Sequence, residues 1–402
     1  MKKILFICTK YPLEPNNSWL TREMAEELSR RGNSVDVLCI DWSAKSKSIK
    51  TVLNNVNVYN IPALMAKKSG VLSFAIKWFL SSVVASIKNP TVMFNRYDLT
   101  IGFSPCSSTW FPIFISSLLS KKKLLIYWDF FPIHQSQINL INGKFKEKVL
   151  KFFERRLVHS FDYVGCMSAL NCNFFKEYFG EKRGKHVFEL PIWSEDLPQD
   201  VPLNNFKKCA EILKSNDSIY FIFGGQIEYG RGVECILDAA RIAHAKNPHI
   251  VTIIIGNGRL AETVKNVANL KDNGVIYSDL IPRTDYLNLL SFCRGGIIAT
   301  VPNVSVPTYP SKSLDYMKLS LPIIASIEDT TDFGDIITEE NAGISCPAGD
   351  AEALADAMIL LANDFALAQN MGRNANILFH KKHVLTKVVD GFMKYIDEDN
   401  NV

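Results

Sequence analysis

Twice along the chain, apolar runs of strand length alternate with segments of helix length, and this alternation limits the possible folds more than any single residue does. In the first series, KKILFICT reads as a buried strand, residues 18–31 as a helix ending at Gly32, and SVDVLCI (34–40) as a second strand. DLTIGFS (98–104), KLLIYWD (123–129), YVGCMS and HVFELP continue it, with helices between them. The second series starts afresh with SIYFIFGG (218–225) and runs through HIVTIIIG, GVIYSD, GGIIAT, LPIIAS and AGISCP. Buried strands joined through helices build parallel, doubly wound sheets, so the expected fold class is α/β with two Rossmann-like domains. PIWSEDLPQDVPLNN (191–205), rich in Pro and polar residues, reads as the linker, giving domains of 1–195 and 196–377. The last strong periodicity, 383–396, is an amphipathic helix inside a C-terminal segment of 378–402.

A length of 402 residues suits two domains, and 47% hydrophobic with 21% charged residues is a soluble globular balance with ample core. The nine cysteines are scattered with no CxxC pair, which points to a reducing cytosol rather than a disulfide framework or a zinc site. The start, MKKILFICTKYP, has too short an apolar run and no small-residue cleavage site for a signal peptide, and reads as a first strand. Charge is divided unevenly. Residues 1–195 hold 27 Lys and Arg against 15 Asp and Glu, and the remainder 18 against 26. A basic N-terminal half suits an anionic partner, and without an RNA- or DNA-binding signature that partner is a phosphorylated substrate or an anionic membrane surface.

Ligands of doubly wound sheets gather at the carboxyl ends of strands, so the loops there carry the candidate residues. In VPTYPSKSLDYMKLSLPIIA (306–325), prolines break regular structure and Ser311 is placed to cap a helix over residues 312–319. Free N–H groups at such a helix start, with Lys312 beside them, suit a phosphate, and Asp315 one turn in can accept from sugar hydroxyls. An ordinary capped helix reads the same from this stretch alone. GGQIEYGRG (224–232) adds glycines for close backbone approach and the forked cation of Arg231, and GNGRL (256–260) adds a Gly turn into a helix. Three weak signals in matching strand-end positions converge on a diphosphate. In the first half, Asp129 ends a strand and His134 follows in a Pro-bent aromatic loop, both where catalytic groups of α/β folds lie. The loop TKYPLEPNNS, with Asn16, Asn17 and Ser18, carries no Gly-x-Gly-x-x-Gly and is a candidate wall of the site. VLSFAIKWFLSSVVASI (71–87), interrupted by Lys77 and flanked by lysines, is either a buried crossover helix or an interfacial one. A basic face, including Lys144, Lys146, Lys148, Lys151, Arg155 and Arg156, marks the helix at 143–159.

FGGQIEYGRGVECILDAA, IIIGNGRL, GVIYSDLIPRTDYLNLL, YPSKSLDYMKLSLPIIAS and AGISCPAGDAEALADAM together resemble the donor-binding domain of retaining GT-B glycosyltransferases of family 4. The likeness is tight over 218–360 and loose before 190, and the PSK variant resembles a subgroup acting in bacterial surface-polysaccharide assembly. It implies two Rossmann-like domains facing across a cleft, with a C-terminal helix crossing back to the first. Residue by residue, it implies Arg231, also a catalytic candidate, at the donor phosphates and Ile276 and Tyr277 near the base, with Gly225, Gln226 and Gly256 also in the donor site. It further implies Pro310, Ser311 and Lys312 at the diphosphate and Asp315 on the ribose. Asp129 and His134 would orient acceptor or sugar and share the proton transfer, without a metal or other cofactor. The implied partners are a nucleotide-sugar donor, UDP before GDP, a polyprenyl-diphosphate-linked or saccharide acceptor, and an anionic membrane surface, with no nucleic acid. The protein would be cytoplasmic and peripheral on the inner face of the membrane. This chain departs from the family pattern at Gln226, where Arg is common, at Pro307, where the first of two glutamates falls, and at Asn16–Asn17, in place of Gly-Gly. A nucleotide-sugar epimerase or hydrolase of the same shape would need a tighter set of cleft acids and no acceptor. A non-catalytic membrane-associated partner would have lost nucleotide binding.

Overall fold

The computed structural model describes residues 1–14, 19–43, 47–65, 73, 76–138, 140–141, 143–181, 183–197, 207–213, 215 and 217–398. The chain divides into two compact units, Met1–Glu195 with Leu385–Val402, and Asp196–Val384. Asn16, Asn17, Ser18 and residues 71, 72, 74 and 75 of the 71–87 segment lie outside the described residues, and the rest of that segment forms a helical stretch, Ile76–Leu80 running into Ser81–Lys88.

The strands of unit 1 are β1 (Lys3–Cys8), β2 (Ser34–Asp41), β3 (Ile49–Leu53), β4 (Val56–Pro62), β5 (Tyr97–Phe103), β6 (Ser120–Tyr127), β7 (Tyr163–Cys166) and β8 (His186–Glu189). They form one sheet in the order β3-β4-β2-β1-β5-β6-β7-β8, parallel except for the antiparallel β3–β4 pair. The β3–β4 hairpin goes beyond the sequence reading. Its turn is Asn54–Asn55, both with positive φ (48° and 63°), a conformation that asparagine tolerates better than most residues. The central strands are apolar along their whole length because helices cover both faces. Leu385, Val388, Val389, Phe392 and Ile396 of the last helix (Leu385–Glu398) join the same core as Ile4, Phe6, Val37 and Trp193. Arg31 bonds Thr386 O at 2.9 Å and pairs with Asp390, fixing that helix further.

Unit 2 carries β9 (Ile219–Gly224), β10 (Ile250–Ile255), β11 (Val275–Ser278), β12 (Cys293–Ala299), β13 (Ile323–Ile327) and β14 (Gly343–Pro347). The sheet order β11-β10-β9-β12-β13-β14 is parallel throughout. The order reverses direction at β9, with β10 on one side and β12 on the other, so the loops after β9, β10 and β12 open at the switch point where such sheets bind ligands. The core packs helices Val233–Lys246 and Ala351–Asn363 on these strands through Phe221, Phe223, Ile254 and Ile297. Asp350 caps the second of these helices as expected, accepting from Ala353 N at 2.9 Å. Phe365–Lys382 is a further helix, in unit 2, that the sequence reading does not name.

Candidate functional site

The first two loops of unit 2 are zipped together by their own backbone. Ile227 N donates to Asn257 O at 3.0 Å and Leu260 N to Ile227 O at 3.1 Å. Glu228 accepts from the Arg259 backbone at 3.1 Å and side chain at 2.7 Å, and although burial opposes its charge, Arg259 holds its carboxyl below the ordinary value. The approach is so close that a methyl group on Gly256 would lie 1.7 Å from Gly225 O, which explains a glycine there better than its φ does. Gly232, left-handed at φ 57°, starts helix Val233–Lys246, and a methyl group on it would lie 2.6 Å from Thr300 O. The loop carrying Arg231 therefore lies against the end of β12.

The third loop reaches the same point. Lys312 is only partly exposed, and its Nζ sits 3.4 Å from the ring centroid of Phe223 and 3.7 Å from where a methyl group on Gly225 would stand. Burial, together with the Arg231 guanidinium, pushes the Lys312 ammonium well below the ordinary lysine pKa. Neither cation has an acidic partner among the described residues, whereas Arg22, Arg31, Arg259 and Arg283 all do. The backbone N–H groups of Ser311 and Lys312 likewise have no acceptor among the described residues. Two like charges and open N–H donors, held beside a loop whose glycines admit close contact, form a site complementary to a multiply charged anion.

The helix behind Lys312 differs from the sequence expectation. It spans Ser313–Lys318 with Lys312 at the N-cap position and no side-chain cap, while Ser311 is exposed and caps nothing. The reason is local: Ser313 bonds Pro310 O through both its N–H (3.1 Å) and its hydroxyl (2.7 Å), starting the helix one residue later. The buried Tyr316 hydroxyl pins this helix across the sheet, donating to Ile222 O at 3.2 Å and Ile297 O at 3.3 Å.

Asp315 is not idle. Arg283 grips its two oxygens in a fork, one contact at 2.5 Å, and Lys318 Nζ lies at 3.5 Å. Burial opposes the charge, but these cations outweigh it and hold the carboxyl below the ordinary aspartate value. Carboxylate oxygens keep spare lone pairs under such a fork and still accept from hydroxyls. Nothing in the spacing announces Arg283, which is 32 residues from its partner, or Glu328, whose buried carboxylate accepts from Thr300 and, at 2.7 Å, from Thr308. Glu328 ties the loop before Lys312 to the ends of β12 and β13.

Gln226 is exposed, with no side-chain partner among the described residues. Ile276 and Tyr277 lie on the edge strand β11 and line a cavity of about 260 Å³ with Glu211, Lys265 and Asn269. Tyr277 Oη donates to Asp279 at 2.7 Å and reaches Gly256 O at 3.2 Å, so its ring borders the zipped loops.

In unit 1, Asp129 follows β6, exposed, and its carboxylate has no partner among the described residues. Its backbone is fixed: the N–H groups of Trp128 (2.9 Å) and Asp129 (3.2 Å) both donate to Ser104 Oγ at the end of β5. His134 lies one turn further on, partly buried in the short helix Ile133–Gln137, with its N–H on Phe130 O at 3.0 Å.

Residues 218–364, about a third of the chain, match the family model described as "Glycosyl transferases group 1". No curated protein matches the chain. Among solved structures, the chain is similar to sucrose-phosphate synthase from Thermosynechococcus elongatus, with TM-score 0.73 and 14% identity over 100% of both chains. It is similar to α,α-trehalose 6-phosphate synthase from Burkholderia multivorans, with TM-score 0.74 and 10% identity over 100% of this chain and 97% of that one. It is also similar to Anabaena Alr3699/HepE in complex with UDP and glucose, with TM-score 0.67 and 13% identity over 99% and 100%. The chain therefore has the GT-B fold, and its second unit carries the sequence pattern of the group 1 glycosyltransferase model.

Proposed function

We propose that the protein is a retaining glycosyltransferase of family 4 type that moves a sugar from a nucleotide-sugar donor to an acceptor hydroxyl. The observation that carries this reading is the pairing of Lys312 and Arg231, two cations without an acidic partner, at the open ends of β9 and β12. A leaving nucleoside diphosphate gathers negative charge as the glycosidic bond breaks. Preorganised cations stabilise that charge where it develops, without a metal. The N–H groups of Ser311 and Lys312 add donors, Gly225 leaves room beside Lys312, Gly256 lets the two loops close on each other, Asp315 accepts from the ribose, and the strand carrying Ile276 and Tyr277 borders the base. Asp129 and His134, from unit 1, orient the acceptor and share its proton, and front-face attack retains configuration. A structural neighbour solved with UDP and glucose supports UDP as the nucleotide. The basic first half supports an acceptor on a polyprenyl diphosphate at an anionic membrane surface, as in assembly of O-antigen, capsule or exopolysaccharide.

The reading is tested by a thermal-shift panel of UDP, GDP, ADP and CMP. A ligand at 100 times its dissociation constant stabilises by about 2.7 kcal/mol. One nucleoside diphosphate is expected to raise the transition of unit 2, and Arg231→Ala to abolish the rise. No rise with any nucleotide would replace this reading with a non-catalytic one.

A further inference from the structure

One face of unit 1 does not have the surface of an ordinary soluble domain. In helix Lys144–Val158, Glu154 and Val158 are buried, while Phe145, Val149 and Phe152 recur at one-turn spacing on the opposite side, 80%, 50% and 64% exposed. Arg156 continues that stripe, with its guanidinium 5.6 Å from the Phe152 ring centroid. Lys146 lies on one flank of the stripe and Lys148 and Arg155 on the other, all exposed.

The neighbouring helix Trp110–Leu119 repeats the pattern. It buries Pro112, Ile113, Ile115 and Ser116 and turns out Phe114 and Leu118, 54% and 72% exposed. These two helices meet the described end of the segment read as crossover or interfacial: the Phe153 ring packs on Trp110 and, at 5.5 Å, on Phe79, and Trp110 Nε1 donates to Phe79 O at 2.9 Å. Leu80 and Ile87 of that third element are also exposed. Single exposed apolar residues are ordinary, but a recurrent set on adjacent helices marks a contact surface.

Charge selects the occupant. Helix Lys144–Val158 holds six Lys and Arg against two Glu. Of those two, Glu154 is buried and bonded to the N–H groups of Cys106 and Ser107, and Glu147 accepts from Ser136 Oγ at 2.7 Å. A second copy of the chain docking through this face would bring like charges together. Aromatic side chains ringed by lysine suit a surface with an apolar interior and phosphate at its rim. No helix among the described residues is long and apolar enough to cross a membrane, so the fitting mode is to lie on it.

We propose that this face seats unit 1 on an anionic lipid bilayer. Phe114, Leu118, Phe145, Val149 and Phe152 enter the headgroup region, and Lys146, Lys148, Arg155 and Arg156 meet lipid phosphates. The proposal deepens the reading of a lipid-linked acceptor and rests on it.

The test is flotation of the full chain with vesicles of phosphatidylcholine alone or of equal parts phosphatidylcholine and phosphatidylglycerol. The wild type is expected to float with the anionic vesicles only, and less so as salt rises. Phe145→Ser with Phe152→Ser, and Lys146→Glu with Lys148→Glu and Arg156→Glu, are each expected to weaken partition by about 100-fold. Both sets are exposed and outside the donor site, so both are expected to keep the melting transition of unit 1, which shows that this unit still folds, as well as the nucleotide-induced shift of unit 2. Wild type that stays with the soluble fraction, or variants that float as well as wild type, overturns the proposal. So does a dimer in solution that the Phe variant dissolves, which would assign the face to a second copy. A wild type that floats but shows no nucleotide shift would leave the docking face standing and sink the donor reading.

Discussion

At the scale of single residues, Lys312 is expected to have opposite effects on stability and on the proposed diphosphate binding. With its folded pKa depressed by burial and by Arg231, the unfolded chain binds more protons than the folded one between the depressed and the ordinary lysine pKa. Stability of unit 2 therefore rises with pH through that window, and Lys312→Met removes the rise. The same substitution relieves an unpaired, partly buried charge, so it is expected to leave the ligand-free protein at least as stable as wild type. It should nonetheless weaken nucleoside diphosphate binding by about 10–100-fold, the usual worth of a charge-assisted hydrogen bond. Because the bound diphosphate raises the Lys312 pKa again, binding takes up protons on the alkaline side. Titration calorimetry in buffers of different ionisation enthalpy measures that uptake, and none in wild type would mean that Lys312 does not touch the anion. The cations themselves are legible in the sequence because Gly-rich and Pro-rich loops after apolar runs announce strand-end positions. The Arg283–Asp315 fork and the Glu328 brace are not, because nothing local records which side chains tertiary packing brings together.

At the scale of elements, the loops after β9 and β10 depend on backbone held against backbone. Gly256→Ala puts a methyl group against Gly225 O, a clash no rotamer relieves. It is expected to cost unit 2 more than about 3 kcal/mol, seen as a lower urea midpoint, and to abolish the nucleotide shift. Gly391, by contrast, lies inside helix Leu385–Glu398 with open space around it, and Gly391→Ala is expected to stabilise unit 1 by about 0.5–1 kcal/mol. A destabilising Gly391→Ala would mean that this helix is not packed as described. The strands of both sheets were readable because full burial makes them continuous apolar runs. The β3–β4 hairpin was missed because β3 is short and largely exposed, Asn57 and Asn60 interrupt the apolar run of β4, and only Asn54–Asn55 marks the turn. The late start of the helix behind Lys312 was hidden for a different reason: Ser311 has the residue type of a cap, but the Pro310 carbonyl takes both donors of Ser313 and sets the first turn instead.

At the scale of the whole molecule, two cores imply two unfolding events that different perturbations address. Phe392, 1% exposed, belongs to the core of unit 1 although it lies far along the chain. Phe392→Ala is expected to destabilise that unit by about 3–5 kcal/mol and to leave the nucleotide effect on the other transition unchanged, as read by scanning calorimetry. A single transition shifted as a whole would mean that the units do not melt independently. The charge division along the chain was legible from counting alone, and in the structure the basic part carries the exposed aromatic face and the other part the paired cations. In the proposed function those cations hold a diphosphate. Isothermal titration of the nucleoside diphosphate selected by the panel, and of its bare nucleoside, tests this directly in wild type and in Arg231→Ala with Lys312→Met. A gap of at least about 100-fold between the two ligands is expected in wild type, and its collapse in the double variant. Equal affinity for nucleoside and nucleoside diphosphate, or a gap that survives the double substitution, would contradict it.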